Sequence, residues 1–423
     1  MKAYSEYKSS GIEWLSEIPS HWDSMPLKYT VKNQETDFID GDWIESPFIT
    51  ETGIRYLTSG NVGPGFYKEQ GNGFISDETF DELHCIEVLP GDLLISRLNE
   101  PIARTCEVPD LGYKIVTCVD NVIYRPISDI FSRRFMMYQL NSEPFWFNAS
   151  GLSSGATMKR ISRSKLGNIK VIVPSLKEQE LIATYLDDVI GKVDALIAEK
   201  RKQVENLRAY RTSLITETVT RGLNPETPFR PSGIDWLGNI PQHWLSTKAK
   251  YYIEIKSGDV ISKDDISAEG AYPVFGGGEV IGYSNKTNLS KDTIIIGRVE
   301  ARCGCTHLVE CDSWATDNAL VVQTTQNSNY FYWLFSAANL NRLNESNAQP
   351  LLTATKIKDL GIPLPPLSEQ KEIADFLDAK TTKIDALIDE LCKQLDELTE
   401  YRQAVISEAV TGKVDVRDWT PKS

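Results

Sequence analysis

Two arginines and two asparagines hold matching places in this 423-residue sequence. Each arginine closes an apolar run that an aspartate opens: Asp92-LLIS-Arg97 in the first half, Asp292-TIIIG-Arg298 in the second. Further on, each half carries an Asp-Asn pair before another apolar run, Asp120-Asn121 before VIY and Asp317-Asn318 before ALVV. Apolar, β-branched runs bounded by Gly and Asp read as buried strands. An arginine or asparagine at a strand end has the donors to read DNA. Arginine reaches guanine O6 and N7 with two bonds, and asparagine pairs with adenine N6 and N7. The structural alternative is an internal Asp–Arg ion pair and an Asx turn.

Other candidates lie in loops. LTSGNVGPGFYK (residues 57–68) carries Asn61, and VFGGGEVIGYSNK (residues 274–286) ends in Lys286. Glycine lets a backbone approach a phosphate closely; such loops are equally ordinary hairpin turns. SGLSSGATMKRISRSK (residues 150–165) brings Thr157, Lys159, Arg160 and Arg163 together without an acid, and Lys165 and Lys170 follow. This is the strongest phosphate-contact candidate. Its counterpart, NESNAQPLLTATK (residues 344–356), ends in Lys356.

Catalytic signatures are missing. There is no G-x-x-x-x-G-K-[ST] phosphate loop and no Gly-rich strand–helix turn for a dinucleotide or methyl donor. SEPFWF around Pro144 lacks the second proline and leading Asn or Asp of an amino-methyltransferase loop. Glu254-x-Lys256 is half of a nuclease metal motif without its upstream carboxylate. Cys303, Cys305, His307 and Cys311 are spaced more tightly than usual zinc ligands, and alternation along a strand explains them. Seven scattered cysteines in a long chain argue against a disulfide framework. No stretch is apolar enough to span a membrane, and the N-terminus lacks a signal-peptide core, so a cytoplasmic protein is expected. The net charge of −14 weighs mildly against nucleic acid as a partner, although local basic patches persist.

What must position these residues is a duplication. SGIEWLSEIPSHW (residues 10–22) returns as SGIDWLGNIPQHW (residues 232–244). The segment from Pro174 returns from Pro365, sharing EQ, DALI, KQ and YR. His21 and His243 belong to the repeated motif and read as packing residues. Between the repeats lie two dissimilar, strand-rich stretches. The second repeat has helical a/d spacing. The expected seam is Leu186, Val193, Leu196, Gln203 and Leu207 in the first copy, and Leu377, Ile384, Leu387, Gln394 and Leu398 in the second. Ser175-x-x-Glu178 forms a capping box, and Gly222 and Gly412 mark the exits. Each helix is expected to run ~44 residues, ~65 Å at 1.5 Å per residue. Gln203 and Gln394 would fix register. The expected fold is α+β: two mixed strand-rich domains joined by two long helices paired as an antiparallel coiled coil, with a pseudo-two-fold internal repeat. Residues 1–165 and 223–360 are the recognition domains, and 166–222 and 361–418 the helical spacers.

This order resembles the specificity subunit of type I restriction–modification systems, HsdS. The resemblance rests on the helix starts VIVPSLKEQELIATYLD and IPLPPLSEQKEIADFLD, the internal DALI, the exit TGKVDVRDW and the domain-leading SGIEWLSEIPSHW. It implies two target-recognition domains, each reading half of a bipartite double-stranded DNA sequence, and a helical spacer setting the gap. It also implies docking of two modification (methyltransferase) subunits and of restriction/translocase subunits. S-adenosylmethionine, ATP and Mg²⁺ would reside on those partners, with no cofactor on this non-catalytic chain. An acidic chain is then expected to bind DNA poorly alone and better with its partners. A coiled-coil protein scaffold and a self-contained nuclease are the rival readings. The duplicated joint further predicts that the two termini lie together and the molecule nearly closes into a ring.

Overall fold

A computed structural model describes residues 2–155, 157–299, 302–343 and 351–420. The chain forms two compact units, Met1–Glu199 with Gln394–Ser423, and Lys200–Lys393. Each unit takes half of each long helix. The helices run over Leu176–Arg221 and Leu367–Val410, 46 and 44 residues, close to the expected length.

In the first unit the strands Phe38–Asp40, Asn121–Tyr124, Leu93–Ser96 and Thr105–Glu107 form an antiparallel sheet in that order. A second sheet places Ile54–Leu57 between Phe74–Ile75 and Ile115–Thr117, the last pair parallel. The second unit repeats this plan. Ile253–Ser257, Ala319–Thr324, Ile294–Gly297 and Thr306–Leu308 form its antiparallel sheet. Tyr272–Gly276 lies between Glu279–Ser284 and, in parallel, Trp314–Ala315. The two variable stretches thus share a topology of which the matched Asp–Arg and Asp-Asn runs mark the central strands. Their central strands, LLIS, NVIY and IIIG, are buried at every position, which is why they read as continuous apolar runs instead of alternating ones.

The duplicated motifs are the clamps that tie each sheet body to its helices. In the first unit, Glu178 accepts from Trp22 Nε1 at 3.2 Å and Tyr4 OH at 3.3 Å, and lies 3.1 Å from His21 Nε2. In the second, Glu369 accepts from Trp244 Nε1 at 3.0 Å and lies 2.8 Å from His243 Nε2. The next residue, Gln179 or Gln370, is fully buried. It reaches the caps of neighbouring helices, where Ser132 and Asn327 donate their backbone N–H to it. Both tryptophans are buried against the helix exits. A side chain at Gly222 (φ +76°) would press on Trp244, and one at Gly412 (φ +74°) on Pro19 and Trp22. The termini do meet: the Asp415 N–H donates to the Lys2 carbonyl at 2.8 Å, and Tyr7 OH to the Gly412 carbonyl at 2.9 Å.

The helices pack antiparallel. In the first unit Ile182, Leu186 and Ile190 share a core with Val405, Ile406 and Val410. In the second, Ile215 and Val219 share one with Ile373 and Leu377. The aspartate of each DALI meets the arginine of the other copy's YR: Asp194 with Arg402 at 2.8 Å, and Asp385 with Arg211 at 2.8 Å. The expected seam needs correction. Leu186, Val193, Leu377 and Ile384 are buried, and Leu207 and Leu398 are half-buried. Leu196 and Leu387 are instead 47% and 55% exposed, with Ile197 and Ile388 buried in their place. Gln203 is exposed beside a buried Val204, and Gln394 is half-buried. A 3.6-residue turn admits either a three- or a four-residue step. In DALI both candidate positions are apolar, so spacing alone chose the wrong neighbour. Reversing Arg211→Asp is expected to cost about 1 kcal/mol, since the pair is partly solvent-screened. Adding Asp385→Arg should recover most of it, measured by urea unfolding as a double-mutant cycle.

Candidate nucleic-acid interface

The strand-end residues separate into internal and external sets. Arg97, at the end of Leu93–Ser96, is 5% exposed. Its Nε lies 3.1 Å from Asp40, aligned for an ion pair and not for a hydrogen bond. Its terminal nitrogens donate to the carbonyls of Ile161, at 3.2 Å, and Val119. Asn121 is fully buried, donating to Thr117 Oγ1 at 2.8 Å. Asn61 is also buried. It accepts from the Thr58 N–H at 2.9 Å and donates to the Lys68 and Gln70 carbonyls at 3.0 and 2.8 Å. All three hold loops in place and are too buried to reach a base edge. The structural alternative describes them, although Arg97 pairs with Asp40, and Asp92 pairs with Arg125 at 2.6 Å.

Arg97→Ala is therefore expected to cost about 2–3 kcal/mol. It strands two carbonyls and a carboxylate that burial already pushes above its ordinary pKa, against the pull of Arg97, Arg163 and Arg160. Arg160→Ala should leave stability within about 0.5 kcal/mol. Thermal unfolding of the two variants checks the contrast.

In the second unit the same pattern opens outward. Asn318 and Asp317 are exposed at their turn. Arg298 is half-buried, with Nη1 donating to Ser257 Oγ at 3.3 Å. Around Asn318 lies a hollow lined by Lys263, Gly276, Gly277, Thr316 and Arg302. Lys286 is exposed and paired with Asp265 at 2.7 Å. Lys356 donates to the Leu343 carbonyl at 2.9 Å. Residues 344–350 of the polar stretch before it lie outside the described residues. Cys303 is buried while Cys305 and Cys311 are exposed, and among the described residues no His, Cys, Asp or Glu side chains gather as a metal site.

The basic stretch of the first unit is a small hairpin. Ser154 and Arg160 exchange backbone bonds at 3.0 and 2.9 Å, and the Asn99 N–H ties in the Lys159 carbonyl at 3.0 Å. Thr157 and Met158 are exposed between them. Lys159 lies 2.9 Å from Glu100, Arg160 2.9 Å from Asp120, and Arg163 3.7 Å from Asp40. The Ser150 hydroxyl and Lys159 hold the Glu100 carboxyl below its ordinary pKa. Sequence reading missed these three carboxylates. The stretch holds no acid of its own, and its partners lie between residues 40 and 120, brought in only by the fold.

Two bodies of one topology and unlike sequence, each clamped by the same duplicated motifs, define a protein with two variable surfaces on a constant frame. The chain belongs to the type I restriction–modification specificity family: the type I restriction modification DNA specificity domain matches residues 40–206 and 242–397. It is similar to a putative type I restriction enzyme MjaX specificity subunit of Methanocaldococcus jannaschii, 23% identical and covering 95% of this chain and 96% of that protein. It is likewise similar to the type I restriction enzyme EcoprrI specificity subunit of Escherichia coli, 25% identical over 64% of this chain and 66% of that protein. A solved chain from a study of complex assembly and conformational transition of the type I restriction–modification system shares the fold. Its TM-score is 0.70 at 14% identity, covering 94% of this chain and 99% of that one.

Proposed function

We propose that this chain is the non-catalytic specificity subunit of a type I restriction–modification complex, with each unit reading one half of a bipartite duplex sequence. The observation that carries the reading is the shared topology of two dissimilar sheet bodies on one repeated set of clamps. Base readout needs side chains that differ between half-sites, while the clamps need constant ones. In the second unit, Asn318 and the hollow beside it are the base-reading candidates. In the first, exposed Thr157, Lys159 and Arg160 and half-buried Arg163 contact the backbone.

The partners are two modification subunits, with restriction/translocase subunits joining them. S-adenosylmethionine, ATP and Mg²⁺ belong to those partners. Two features of the helices support the number two. Leu196 and Tyr401 are 47% and 53% exposed, and each lies within two residues of the Asp194–Arg402 pair. Leu387 and Tyr210, 55% and 56% exposed, stand likewise beside Asp385–Arg211. Exposed tyrosine and leucine side chains suit a protein interface, and each unit has both on its helices. No helix among the described residues is long and apolar enough to cross a membrane, and the reading places the complex in the cytoplasm with the DNA.

The test is methylation of plasmid DNA by the chain with a modification subunit, read by single-molecule sequencing. Methyl groups are expected on one two-part sequence, and grafting another domain over residues 245–360 should change one half of it. Methylation that ignores the presence of this chain would refute the proposal.

A further inference from the structure

The basic hairpin of the first unit is paired before any DNA arrives. Lys159, Arg160 and Arg163 keep side chains 50%, 45% and 42% exposed, so a phosphate can reach each of them. Each also faces a carboxylate. Glu100 is 51% exposed, and Asp120 and Asp40 are 26% and 27% exposed. Glu100 is further held by Ser150 Oγ at 2.7 Å. With buried Arg97 sharing Asp40, four cations meet three anions at one place. The local surplus is therefore small for a stretch that looks strongly basic in sequence.

We propose that Glu100, Asp120 and Asp40 compete with DNA phosphate for Lys159, Arg160 and Arg163, and so set how sharply this unit separates its target from other duplex. The inference rests on the DNA-reading function proposed above.

The physical argument is one of exchange. Non-specific binding is almost wholly phosphate contact, driven by release of cations condensed on DNA. A free lysine gains that release outright. Lys159 must first leave Glu100, and the freed carboxylate gathers a cation in return. The net ion release per contact falls, and with it the affinity for arbitrary duplex. Half-exposed ion pairs are worth little and exchange readily. A duplex held in register by base contacts brings its phosphates close enough to displace the carboxylates; a loosely held one does not. Base contacts specify and phosphate contacts position, so weakening only the phosphate part raises discrimination. The overall charge of −14 is consistent with a chain that does not rely on bulk attraction.

The test uses the chain assembled with its modification subunits and two duplexes of equal length. One carries the target identified by methylation sequencing, and the other lacks it. Anisotropy titrations over a range of salt give affinity and salt slope. For Glu100→Gln/Asp120→Asn, affinity for the non-target duplex is expected to rise on the order of ten-fold at low salt, with a slope steeper by about 1–2. Target affinity should rise less, so the specificity ratio falls. Glu100→Gln alone, at a half-exposed site that does not threaten folding, should show about half the change in slope. Lys159→Gln/Glu100→Gln should return to the unmodified affinity or below it. Asp40 is left intact because it also serves buried Arg97. Unchanged non-target affinity and slope in Glu100→Gln and in the double variant would overturn the proposal. So would a gain that survives Lys159→Gln. If the unmodified complex prefers no sequence at all, the DNA-reading function fails instead, which is a separate result.

Discussion

Glu178→Ala is expected to destabilise the first unit by about 4 kcal/mol, far more than loss of an ordinary helix cap, which costs about 1 kcal/mol. Four groups converge on this carboxylate. Ser175 donates its hydroxyl to it at 3.3 Å and in turn receives the Glu178 N–H at 3.3 Å, which caps the helix. Trp22 donates its indole N–H, Tyr4 its hydroxyl, and His21 lies within hydrogen-bond reach. Trp22 is fully buried and Tyr4 5% exposed, so neither finds water when the acceptor is removed. Hydrogen bonds to charged groups contribute about 1.5–3 kcal/mol each, and a stranded donor costs about 1–3 kcal/mol. Non-additivity among neighbours brings the sum down to the stated figure. Glu178→Gln keeps an acceptor of the same shape and should cost about half as much. Glu369→Ala should cost the second unit less, about 2–3 kcal/mol, because among the described residues only Trp244 and His243 converge there. Urea unfolding followed by tryptophan emission measures all three. A loss below about 1 kcal/mol for Glu178→Ala would show that the joint is held by packing alone.

That joint shows which parts of the protein are legible in its sequence. The doubled SGIEWLSEIPSHW was readable as a packed element because its aromatic and proline positions recur. The partner of its tryptophan was less so, since Glu178 lies 156 residues from Trp22 and presents itself locally as a capping residue. The helices were readable in extent because apolar spacing persists over many turns. The seam was readable only to within one residue, as Leu196 and Ile197 show. Of the common topology of the sheet bodies only the two central strands, marked by the matched Asp–Arg and Asp-Asn runs, were readable, because a fully buried strand demands only apolar bulk and two sequences meet that demand differently. Arg97 and Asn121 misled for a related reason. A polar residue at a strand end fits a base edge and a buried loop anchor equally well, and burial decides between them. For the basic hairpin, sequence proximity counted the cations and could not count Glu100, Asp120 and Asp40.

On the proposed docking of two modification subunits, Leu196→Asp with Tyr401→Asp is expected to remove one of them from the assembled complex, and Leu387→Asp with Tyr210→Asp the other. All four side chains are about half exposed in the chain by itself, and substitution at such positions changes stability by within about 0.5 kcal/mol. They are poor candidates for holding the fold, yet they recur in both copies of the helix, where solvent alone would favour polar residues. Burying a Leu and a Tyr at a partner's surface contributes a few kcal/mol, and a charge left unpaired there adds a desolvation penalty. Together these should weaken each docking on the order of 100-fold, about 3 kcal/mol. Light scattering on the reconstituted complex distinguishes the outcomes by mass. Either pair of substitutions should leave one modification subunit per chain, and all four should leave none. Methylation should fall with the subunits, while the melting temperature of the isolated chain stays put. If the chain carrying all four substitutions still holds two subunits, docking lies elsewhere, and the repeated Leu and Tyr positions owe their exposure to the helix geometry of DALI and YR alone.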